Sequence, residues 1–295
     1  MDKKEECGGA YDMKMRAYAK LNLALDIKGV REDGMHDLDM LMQNVSLPDE
    51  LTIKRADRTE IRFGNMVVSA DNTIRRAALL FFEMLQIKGG VQVFAEKKIP
   101  VQAGLGGGSA DAAATLVALN ELYDTGLKKA ELQEIGLKIG ADVPFFIGGG
   151  CMRARGVGDI LEPVKNSCKF HYLLIKPKQG VSTPLAYQKY DENKPGQFDV
   201  SAVADSLIQG DSQRYFVSAG NALQEAGISL CPEIGGILDQ CDKQGAEFSM
   251  MTGSGSCVFA IFEEEEARQR AYLKLRKEYP FCVTAEDVGR SVDIL

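Results

Sequence analysis

A glycine-rich segment at residues 100–114, PVQAGLGGGSADAAA, is the part of this chain best suited to binding chemistry. Four glycines lie within five residues, which frees the backbone to adopt positive φ and to approach a ligand closely. The segment opens into a helix pattern at Ala110–Tyr123, and the N–H groups and dipole of a helix start favour an anion. We therefore predict a phosphate site, with Ser109 adding a hydroxyl as N-cap or towards a phosphate or metal. A turn that merely packs tightly is the weaker interpretation, because so many glycines cost entropy.

Two widespread phosphate-binding motifs do not fit this segment. The dinucleotide pattern G-x-G-x-x-G fails, because the sixth position counted from Gly104 is Ser109. The pattern G-x-x-x-x-G-K-[ST] fails as well, because no lysine follows the glycines. The chain is therefore predicted to be neither a Rossmann dehydrogenase nor a P-loop NTPase.

The glycine segment resembles a known motif when it is taken together with two other stretches. Its pattern P-x-x-x-G-L-G-G-G-S-A-D is similar to the phosphate loop of the GHMP kinases, a superfamily that includes galactokinase, homoserine kinase and mevalonate kinase. AKLNL at 19–23 and MTGSGSCVF at 251–259 resemble the other two motifs of that superfamily. The three motifs occur in the superfamily's order across most of the chain.

Within the superfamily, four stretches resemble the 4-diphosphocytidyl-2-C-methyl-D-erythritol kinases, a family of the non-mevalonate (methylerythritol phosphate) route to isoprenoid precursors. They are AKLNLALDIKGVREDGMH at 19–36, GLGGGSADAAA at 104–114, GADVPFF at 140–146 and GVGDIL at 156–161. The resemblance implies an ATP- and Mg²⁺-dependent kinase that phosphorylates the 2-hydroxyl of 4-diphosphocytidyl-2-C-methyl-D-erythritol.

The resemblance also implies the fold, which is α+β with two domains and an active site in the cleft between them. The N-terminal ATP-binding domain would span residues 13–165 and resemble domain 2 of ribosomal protein S5. The C-terminal domain would span residues 166–295 and be ferredoxin-like, a split βαβ sandwich. Residues 1–12 are predicted to be a loose leader.

Two charged residues are placed at the reaction centre by the resemblance. Asp142 would be the general base, or at least orient the acceptor hydroxyl. Lys20 would keep Asp142 ionised and stabilise charge on the reacting oxygens. Taken alone, Lys20 could be an exposed strand lysine and Asp142 a turn residue before Pro144.

Three further residues are expected on the acceptor side. His36 would hydrogen-bond the cytosine of the diphosphocytidyl group, and Tyr187 would stack on that base. Asn22 shares a strand face with Lys20 and could reach the same substrate. Met35 stands where the family generally has tyrosine, and a thioether cannot donate a hydrogen bond. His171, in an apolar run, is predicted to be structural.

The remaining candidates belong to the nucleotide side. The predicted ATP-binding residues of the loop are Pro100, Val101, Gln102, Ala103, Gly104, Leu105, Gly106, Gly107, Gly108, Ser109 and Ala110. Asn72, Lys97 and Thr183 match positions lining the adenosine pocket of the family. Ser109 is the one candidate ligand for Mg²⁺, which the triphosphate would otherwise hold. The turn at 253–256 is expected to close the substrate side of the cleft.

Elements with clear periodicity must position these residues. Residues 13–28 alternate with period two, which predicts β structure with one buried face, as two strands or one with a bend. Asp71-Asn72 would cap a helix at 73–85, and a helix at 129–139 would end at a C-cap, Gly140. Further strand is predicted at 45–61 and at 91–95.

The second half of the sequence is read more coarsely. Predicted strands lie at 170–175, 246–251, 257–262 and 281–285, and predicted helices at 200–209, near 222–225, at 232–244 and at 264–278. Residues 177–195 are interpreted as a loop-rich connector. The acidic run Glu263–Glu266 suits a solvated first helical turn.

The composition of the chain restricts the kinds of partner that the protein can bind. The net charge of −7 over 295 residues argues against a nucleic-acid binder, which would need a dense basic patch. No apolar run is long enough to span a bilayer and no signal-peptide pattern occurs, so we predict a cytoplasmic protein that acts on a small molecule. The seven cysteines have no C-x-x-C spacing and are interpreted mostly as small buried hydrophobes. A monomer or weak homodimer is expected.

Three alternatives stay open at this point. One is a GHMP kinase with another acceptor, such as homoserine, mevalonate or a sugar. Another is a non-catalytic nucleotide-binding sensor on the same scaffold, although Lys20 and Asp142 are both present. The third is an RNA-binding module, which the net charge disfavours.

Overall fold

A computed structural model describes residues 12–64, 69, 71–194 and 197–295, so the predicted leader lies, up to residue 11, outside the described residues. The described elements follow this order along the chain: β1 (Met13–Val30), β2 (His36–Ala56), β3 (Glu60–Phe63), α1 (Thr73–Leu85), β4 (Gly90–Glu96), α2 (Gly107–Leu122), α3 (Lys129–Leu137), α4 (Val143–Gly148), β5 (Cys151–Gly156), β6 (Ile160–Pro163), β7 (His171–Lys176), α5 (Thr183–Asn193), α6 (Val200–Gln209), α7 (Ser212–Ser218), α8 (Gln224–Leu230), α9 (Glu233–Lys243), β8 (Phe248–Met251), β9 (Val258–Phe262), α10 (Glu265–Leu275), β10 (Phe281–Ala285) and β11 (Val292–Ile294).

Two sheets organise these elements. The first has the order β11-β1-β2-β4-β3, and β5 joins it by pairing with both β2 and β6. The second is antiparallel, with the order β10-β7-β9-β8. The molecule is therefore a mixed α/β protein with two sheets, in agreement with the expected fold class.

The long strand β1 pairs irregularly with β2 and is bent. Of the two predicted forms, two strands or one strand with a bend, the structure has the second. The register shifts between Tyr18 and Lys20 and again between Asn22 and Ala24. Each shift moves the following side chains to the opposite face of the sheet. Met15 and Ala17 thus pack in one core with the helices, whereas the next odd residues pack in another core that contains residues of both sheets.

The predicted exposed polar face of β1 is wrong in its central part. Every residue from Ala17 to Ile27 is buried, including Lys20 and Asn22. The reason is that helices cover one side of the strand and the second sheet covers the other. Lys20 and Asn22 are therefore polar groups inside the protein rather than on its surface.

Several predicted elements are confirmed and others are corrected. Helix α1 begins after Asn72, whose side chain caps it, and α6 has the predicted bounds. The C-cap prediction for Gly140 is wrong, because α3 ends at Leu137 with Lys138 as its C-cap. The connector predicted at 177–195 contains the helix α5, where Pro184 occupies the first turn, a position that lacks an intrahelical N–H bond in any case.

The sequence-based prediction also lacked α4, β5, β6, α7 and β11. Helix α7 is capped by Asp211, and strand β11 pairs with β1 at the edge of the first sheet. Because β11 follows the second sheet in sequence, the chain crosses back to the first sheet at its end. The division into domains at residue 165 stays a prediction.

No helix of the described residues is long and apolar enough to cross a membrane. Cys168, Cys231, Cys241, Cys257 and Cys282 are buried, and Cys151 is partly buried, as expected for small core residues. His171 lies at the start of β7, with its Nδ1 3.5 Å from a Glu286 carboxylate oxygen.

Candidate active site

A cavity of about 1140 Å³ lies between the glycine segment, the paired strands β1 and β2, the start of α4 and the start of α5. It is lined by the loop at 100–109, by Lys20 and Asp142, and by the turn at 253–255. The volume lies slightly above the range of about 300–1,000 Å³ that is usual for small-molecule sites. It can therefore hold two substrates side by side.

The glycine loop is fixed through its carbonyl groups. Gln102 O accepts hydrogen bonds from Val181 N and Ser256 N at 3.4 and 3.2 Å, and Ala103 O accepts one from Cys257 N at 3.2 Å. Leu105 O accepts from Lys20 N at 3.1 Å. Within the described part of the chain, the N–H groups of residues 101–106 donate no hydrogen bond, so they are available to a ligand.

The helix that follows adds further donors. Gly106, with φ +73°, is the N-cap of α2, and a Cβ there would lie 2.6 Å from the Phe146 ring. Ser109 therefore lies inside the first turn of α2. The prediction that Ser109 is the N-cap is wrong. The orphan N–H groups and the dipole of this 16-residue helix favour an anion at this point, and phosphate binding by the loop stays a prediction. Thr73 Oγ1 donates to Gly108 O at 2.7 Å and so ties α1 to the loop.

Lys20 and Asp142 line the same cavity, as the resemblance implied. Lys20 is 4% exposed, and its ammonium donates to Asn22 Oδ1. Burial lowers the pKa of Lys20, and the negative charge of Asp142 opposes that effect. Asp142 occupies the N-cap position of α4 but its side chain caps no N–H group, which leaves the carboxylate for the cavity.

An aromatic corner is formed by His36 at the start of β2 and Tyr187 on α5. Their ring centroids are 4.5 Å apart, and His36 Nε2 lies 2.9 Å from Asp191 Oδ1. Burial, with a smaller contribution from Asp142, raises the pKa of Tyr187 and keeps it neutral. Because the two rings are in contact, a base cannot lie between them in this arrangement, although it can stack on the outer face of either ring. Met35, beside His36, is 51% exposed at the cavity rim.

The turn between β8 and β9 closes the cavity from the second sheet. Thr252 Oγ1 accepts from Asn22 N at 2.9 Å, and Ser254 Oγ lies 2.8 Å from Thr183 Oγ1. A Cβ on Gly104 would lie 2.0 Å from Thr252 O, so glycine is required where the loop meets this turn. The turn is thus both a β-hairpin connection and part of the cavity wall.

The other predicted nucleotide residues are placed differently. Thr183 and Lys97 line the cavity, but Lys97 is ion-paired with Asp49 and Asp111. Asn72 caps α1 by accepting from Arg75 N at 3.0 Å and does not line the cavity. Ala110 is fully buried in α2. The direct contacts of Asn72 and Ala110 with a nucleotide stay predictions.

A magnesium site built from protein side chains is not present in the described ranges, which contain no cluster of three or more acidic, histidine or cysteine side chains suited to a metal. Ser109 lines the cavity and offers one hydroxyl oxygen. Mg²⁺ commonly binds through one or two protein oxygens together with substrate phosphates. The residues therefore fit a magnesium ion that arrives with a nucleotide.

Sequence reasoning missed several residues of the site. Asp191 lies one helical turn after Tyr187, a spacing that would have indicated a shared face had the helix been predicted. Thr73 and Asn221 were also missed, and Asn221 Nδ2 donates to Met251 O and Gly253 O at 2.7 and 2.8 Å. Asp49 could not be identified from the sequence, because a single aspartate within a predicted strand does not show which residue it will contact.

Comparison with protein families identifies two domains. Residues 72–150 match the GHMP kinases N terminal domain, and residues 207–280 match the GHMP kinases C terminal domain. The first match includes the whole glycine loop and Asp142, and the second lies in the part of the chain that forms the second sheet.

Individual relatives agree with the family match. The chain is 35% identical over 285 residues to a 4-diphosphocytidyl-2-C-methyl-D-erythritol kinase of Thermoanaerobacter pseudethanolicus, covering 96% of this chain and 98% of that protein. It is 39% identical over 266 residues to the protein of the same name from Bacillus cytotoxicus, covering 89% and 92%. A crystal structure of a 4-(cytidine 5'-diphospho)-2C-methyl-D-erythritol kinase superposes with a TM-score of 0.80 at 33% identity, covering 94% of this chain and 100% of that one.

Proposed function

The chain belongs to the GHMP kinases and, within them, to the family of 4-diphosphocytidyl-2-C-methyl-D-erythritol kinases, and we propose from this membership that it phosphorylates the 2-hydroxyl of 4-diphosphocytidyl-2-C-methyl-D-erythritol with ATP. The reaction belongs to the methylerythritol phosphate route to isoprenoid precursors. The observation that carries the proposal is the single cavity that joins the glycine loop to Lys20 and Asp142.

The glycine loop would bind the phosphates of ATP. Its carbonyl groups accept hydrogen bonds from β1 and from residues 181, 256 and 257. Its N–H groups at residues 101–106 donate none within the described part of the chain, so they could donate to phosphate oxygens. The dipole of α2 adds to the attraction at the same point. Fixed donors of this kind stabilise the charge of a transferring phosphoryl group.

Asp142 and Lys20 would act on the acceptor. As the hydroxyl oxygen bonds to the γ-phosphorus, the bond to the bridging oxygen of ADP breaks and the hydroxyl proton passes to Asp142. Lys20 is placed to balance the charge of Asp142 and of the reacting oxygens. The pKa of Lys20 is lowered by burial, and Asp142 supports the protonated form that this role needs.

The aromatic corner of His36 and Tyr187 would bind the cytidine end. Both rings and Asp191 line the cavity on the side of β2 and α5. A ring nitrogen of His36 can pair with the edge of a base, and the rings offer stacking surfaces. Met35 contributes only an apolar contact at the rim where the family generally has a tyrosine.

Mg²⁺ would be held mainly by the triphosphate, with Ser109 as the nearest protein ligand. The ion would neutralise phosphate charge. The cytoplasmic location and the monomeric or weakly dimeric state stay predictions.

The test is ADP release with 4-diphosphocytidyl-2-C-methyl-D-erythritol as acceptor, measured for the wild type and for Asp142→Ala and Lys20→Met. We expect kcat to fall by roughly 10²–10⁴ in each variant, which is the usual contribution of a positioned acid, base or charge. Lys14→Met is the matched control, because Lys14 is an exposed lysine on the same strand. Near-wild-type kcat in either variant would remove that residue from the reaction.

A panel of acceptors separates the proposed function from its alternatives. Turnover of homoserine, mevalonate or a sugar without turnover of the cytidyl compound would assign a different acceptor. Tight ATP binding without any phosphoryl transfer would favour the sensor.

A further inference from the structure

Three ionisable side chains, two of them buried, pack together beside the glycine loop and have no part in the proposed chemistry. Asp49 of β2 is fully buried, and Asp111 of α2 is 2% exposed. The ammonium group of Lys97, which follows β4, is ion-paired with both carboxylates. The three side chains therefore join β2, the end of β4 and the first turn of α2.

Asp49 holds the chain that enters the glycine loop. Its Oδ1 accepts hydrogen bonds from Lys98 N and Ile99 N at 2.5 and 2.8 Å, while Oδ2 accepts from Lys97. A Cβ on Gly107 would lie 3.5 Å from Asp49 Oδ2 and 2.9 Å from Ile99 Cγ2. The carboxylate of Asp49 is thus bonded to the entry of the loop and lies close to its exit.

Asp111, near the start of α2, binds Lys97 at the other end of the glycine loop. Its Oδ2 accepts from Lys97, and its buried Oδ1 has no hydrogen-bond partner among the described residues. Burial raises the pKa of Asp111, and the nearby charge of Asp49 adds to this, while Lys97 opposes it. Attraction by the two carboxylates outweighs burial at Lys97 and raises its pKa, so Lys97 stays charged. Truncating Lys97 would leave the carboxylates buried without their cation, which is strongly unfavourable.

We propose that Lys97, Asp49 and Asp111 form a clamp that holds the two ends of the glycine loop at the separation an ATP triphosphate requires. The three are positioning residues, since Asp49 and Asp111 do not line the cavity and the ammonium of Lys97 is engaged by both. The clamp rests on the proposed role of the loop in binding nucleotide. In the clamp, Lys97 positions the loop, whereas the sequence analysis expected Lys97 to contact adenosine.

The location of the charges supports a positioning role. A buried ion pair is no more stabilising than apolar side chains of similar volume, so its value lies in fixing a geometry. Loop N–H groups bind phosphate well only when they are held in place before the ligand arrives. Lys97, just before the loop, is ion-paired with Asp111, just after it, which is where such control must be applied.

The experiment measures the dissociation constant of a non-hydrolysable ATP analogue by calorimetry, with no acceptor present. Lys97→Met, Asp49→Asn and Asp111→Asn are compared with Lys97→Arg, which keeps the cation. The matched controls are Lys98→Met and Glu50→Gln, because Lys98 and Glu50 are the next residues on the same two segments and form an exposed ion pair at 2.8 Å.

We expect Lys97→Met to weaken analogue binding at least about tenfold, Lys97→Arg to stay within about threefold of wild type and both controls to stay within about twofold. In kinetics, KM for ATP should rise while KM for the acceptor is unchanged. Wild-type affinity in Lys97→Met, or an equal loss in Lys98→Met, would overturn the clamp.

Further results distinguish a failure of the clamp from a folding defect and from a failure of the proposed function. Asp49→Asn alters a group that accepts backbone hydrogen bonds from Lys98 N and Ile99 N, so if this variant does not give a cooperative thermal transition, Asp111→Asn and the two Lys97 variants decide. Failure of the wild type to bind the analogue would contradict the proposed function itself. Binding by the wild type with no effect of the clamp variants would contradict the clamp alone.

Discussion

Lys20 shows how one buried residue depends on its neighbour. Burial lowers its pKa, and the Asp142 carboxylate counteracts the shift. Asp142 therefore favours the protonated form of Lys20, which the proposed role requires because an ammonium group stabilises the charge of a transferring phosphate.

Removing the charge of Asp142 should lower the pKa of Lys20 further. In Asp142→Asn, burial acts without its main opposing charge, so Lys20 loses its proton at a lower pH than in the wild type. The affinity for a non-hydrolysable ATP analogue, measured from pH 6 to 10, should therefore decline at lower pH in Asp142→Asn. Identical pH profiles would show that the two groups do not interact.

His36 should depend on Asp191 for its orientation. Asp191→Ala removes the carboxylate 2.9 Å from Nε2 and frees the ring to rotate. We expect KM for the cytidyl acceptor to rise by roughly 5- to 50-fold, with KM for ATP unchanged. Glu192→Gln is the control, because Glu192 is the exposed neighbour on α5 and pairs only with Lys189. A rise in KM for ATP instead of the acceptor would place Asp191 on the nucleotide side.

At the scale of elements, the junction of the glycine loop with α2 requires glycine at Gly106. Its φ is +73°, and a Cβ would lie 2.6 Å from the Phe146 ring and 3.2 Å from Lys20 Cγ. Gly126 has a similar φ, +64°, but nothing within 4 Å of the Cβ position. The two glycines therefore share backbone strain and differ in crowding.

Gly106→Ala should weaken ATP binding and lower kcat, whereas Gly126→Ala should cost only about 1 kcal/mol of unfolding free energy. In Gly106→Ala the Phe146 ring and Lys20 must move, which displaces the lysine proposed to act in catalysis. Kinetics and denaturant unfolding of both variants test this. Equal kinetic behaviour of the two variants would show that crowding at Gly106 is unimportant.

The sequence predicted elements with strong local patterns and missed those set by distant contacts. The cap at Asn72 and the helix after the glycines are local, so they were found. Helix α5 was missed because it has few apolar residues, only Ala186 and Tyr190 being buried, and because Pro184 was read as a loop residue.

The same distinction applies to the site. Motifs located the loop, Lys20 and Asp142, since their residue types and order resemble a family. The clamp could not be predicted, because Asp49 and Lys97 are 48 positions apart and meet only through the pairing of β2 with β4.

At the scale of the whole molecule, Asp287 lies where the two sheets meet. It forms a β-bridge with Val45 of the first sheet and accepts a hydrogen bond from Tyr172 of the second at 2.8 Å. Burial raises its pKa to about 7, partly offset by the Tyr172 bond. This position was not predicted, because β11 and the residues before it return to the first sheet by contacts far apart in sequence.

Asp287→Asn should change how stability depends on pH. A carboxyl group with a raised native pKa stabilises the fold below its unfolded pKa, near 4, and loses that contribution as pH rises through about 7. The unfolding free energy of the wild type should therefore fall relative to Asp287→Asn by about 2–4 kcal/mol between pH 4 and 8. Denaturant unfolding across this range tests it, with exposed Asp239→Asn as control. A constant difference between wild type and Asp287→Asn would contradict the raised pKa.

The central claim is that one cavity brings ATP and an alcohol together between the glycine loop and the pair of Lys20 and Asp142. The most direct measurement is a crystal structure with a non-hydrolysable ATP analogue, Mg²⁺ and 4-diphosphocytidyl-2-C-methyl-D-erythritol. We expect phosphate oxygens at hydrogen-bond distance from N–H groups of residues 104–109 and the 2-hydroxyl about 3 Å from Asp142. A triphosphate bound away from the loop, or a hydroxyl remote from Asp142 and Lys20, would contradict it.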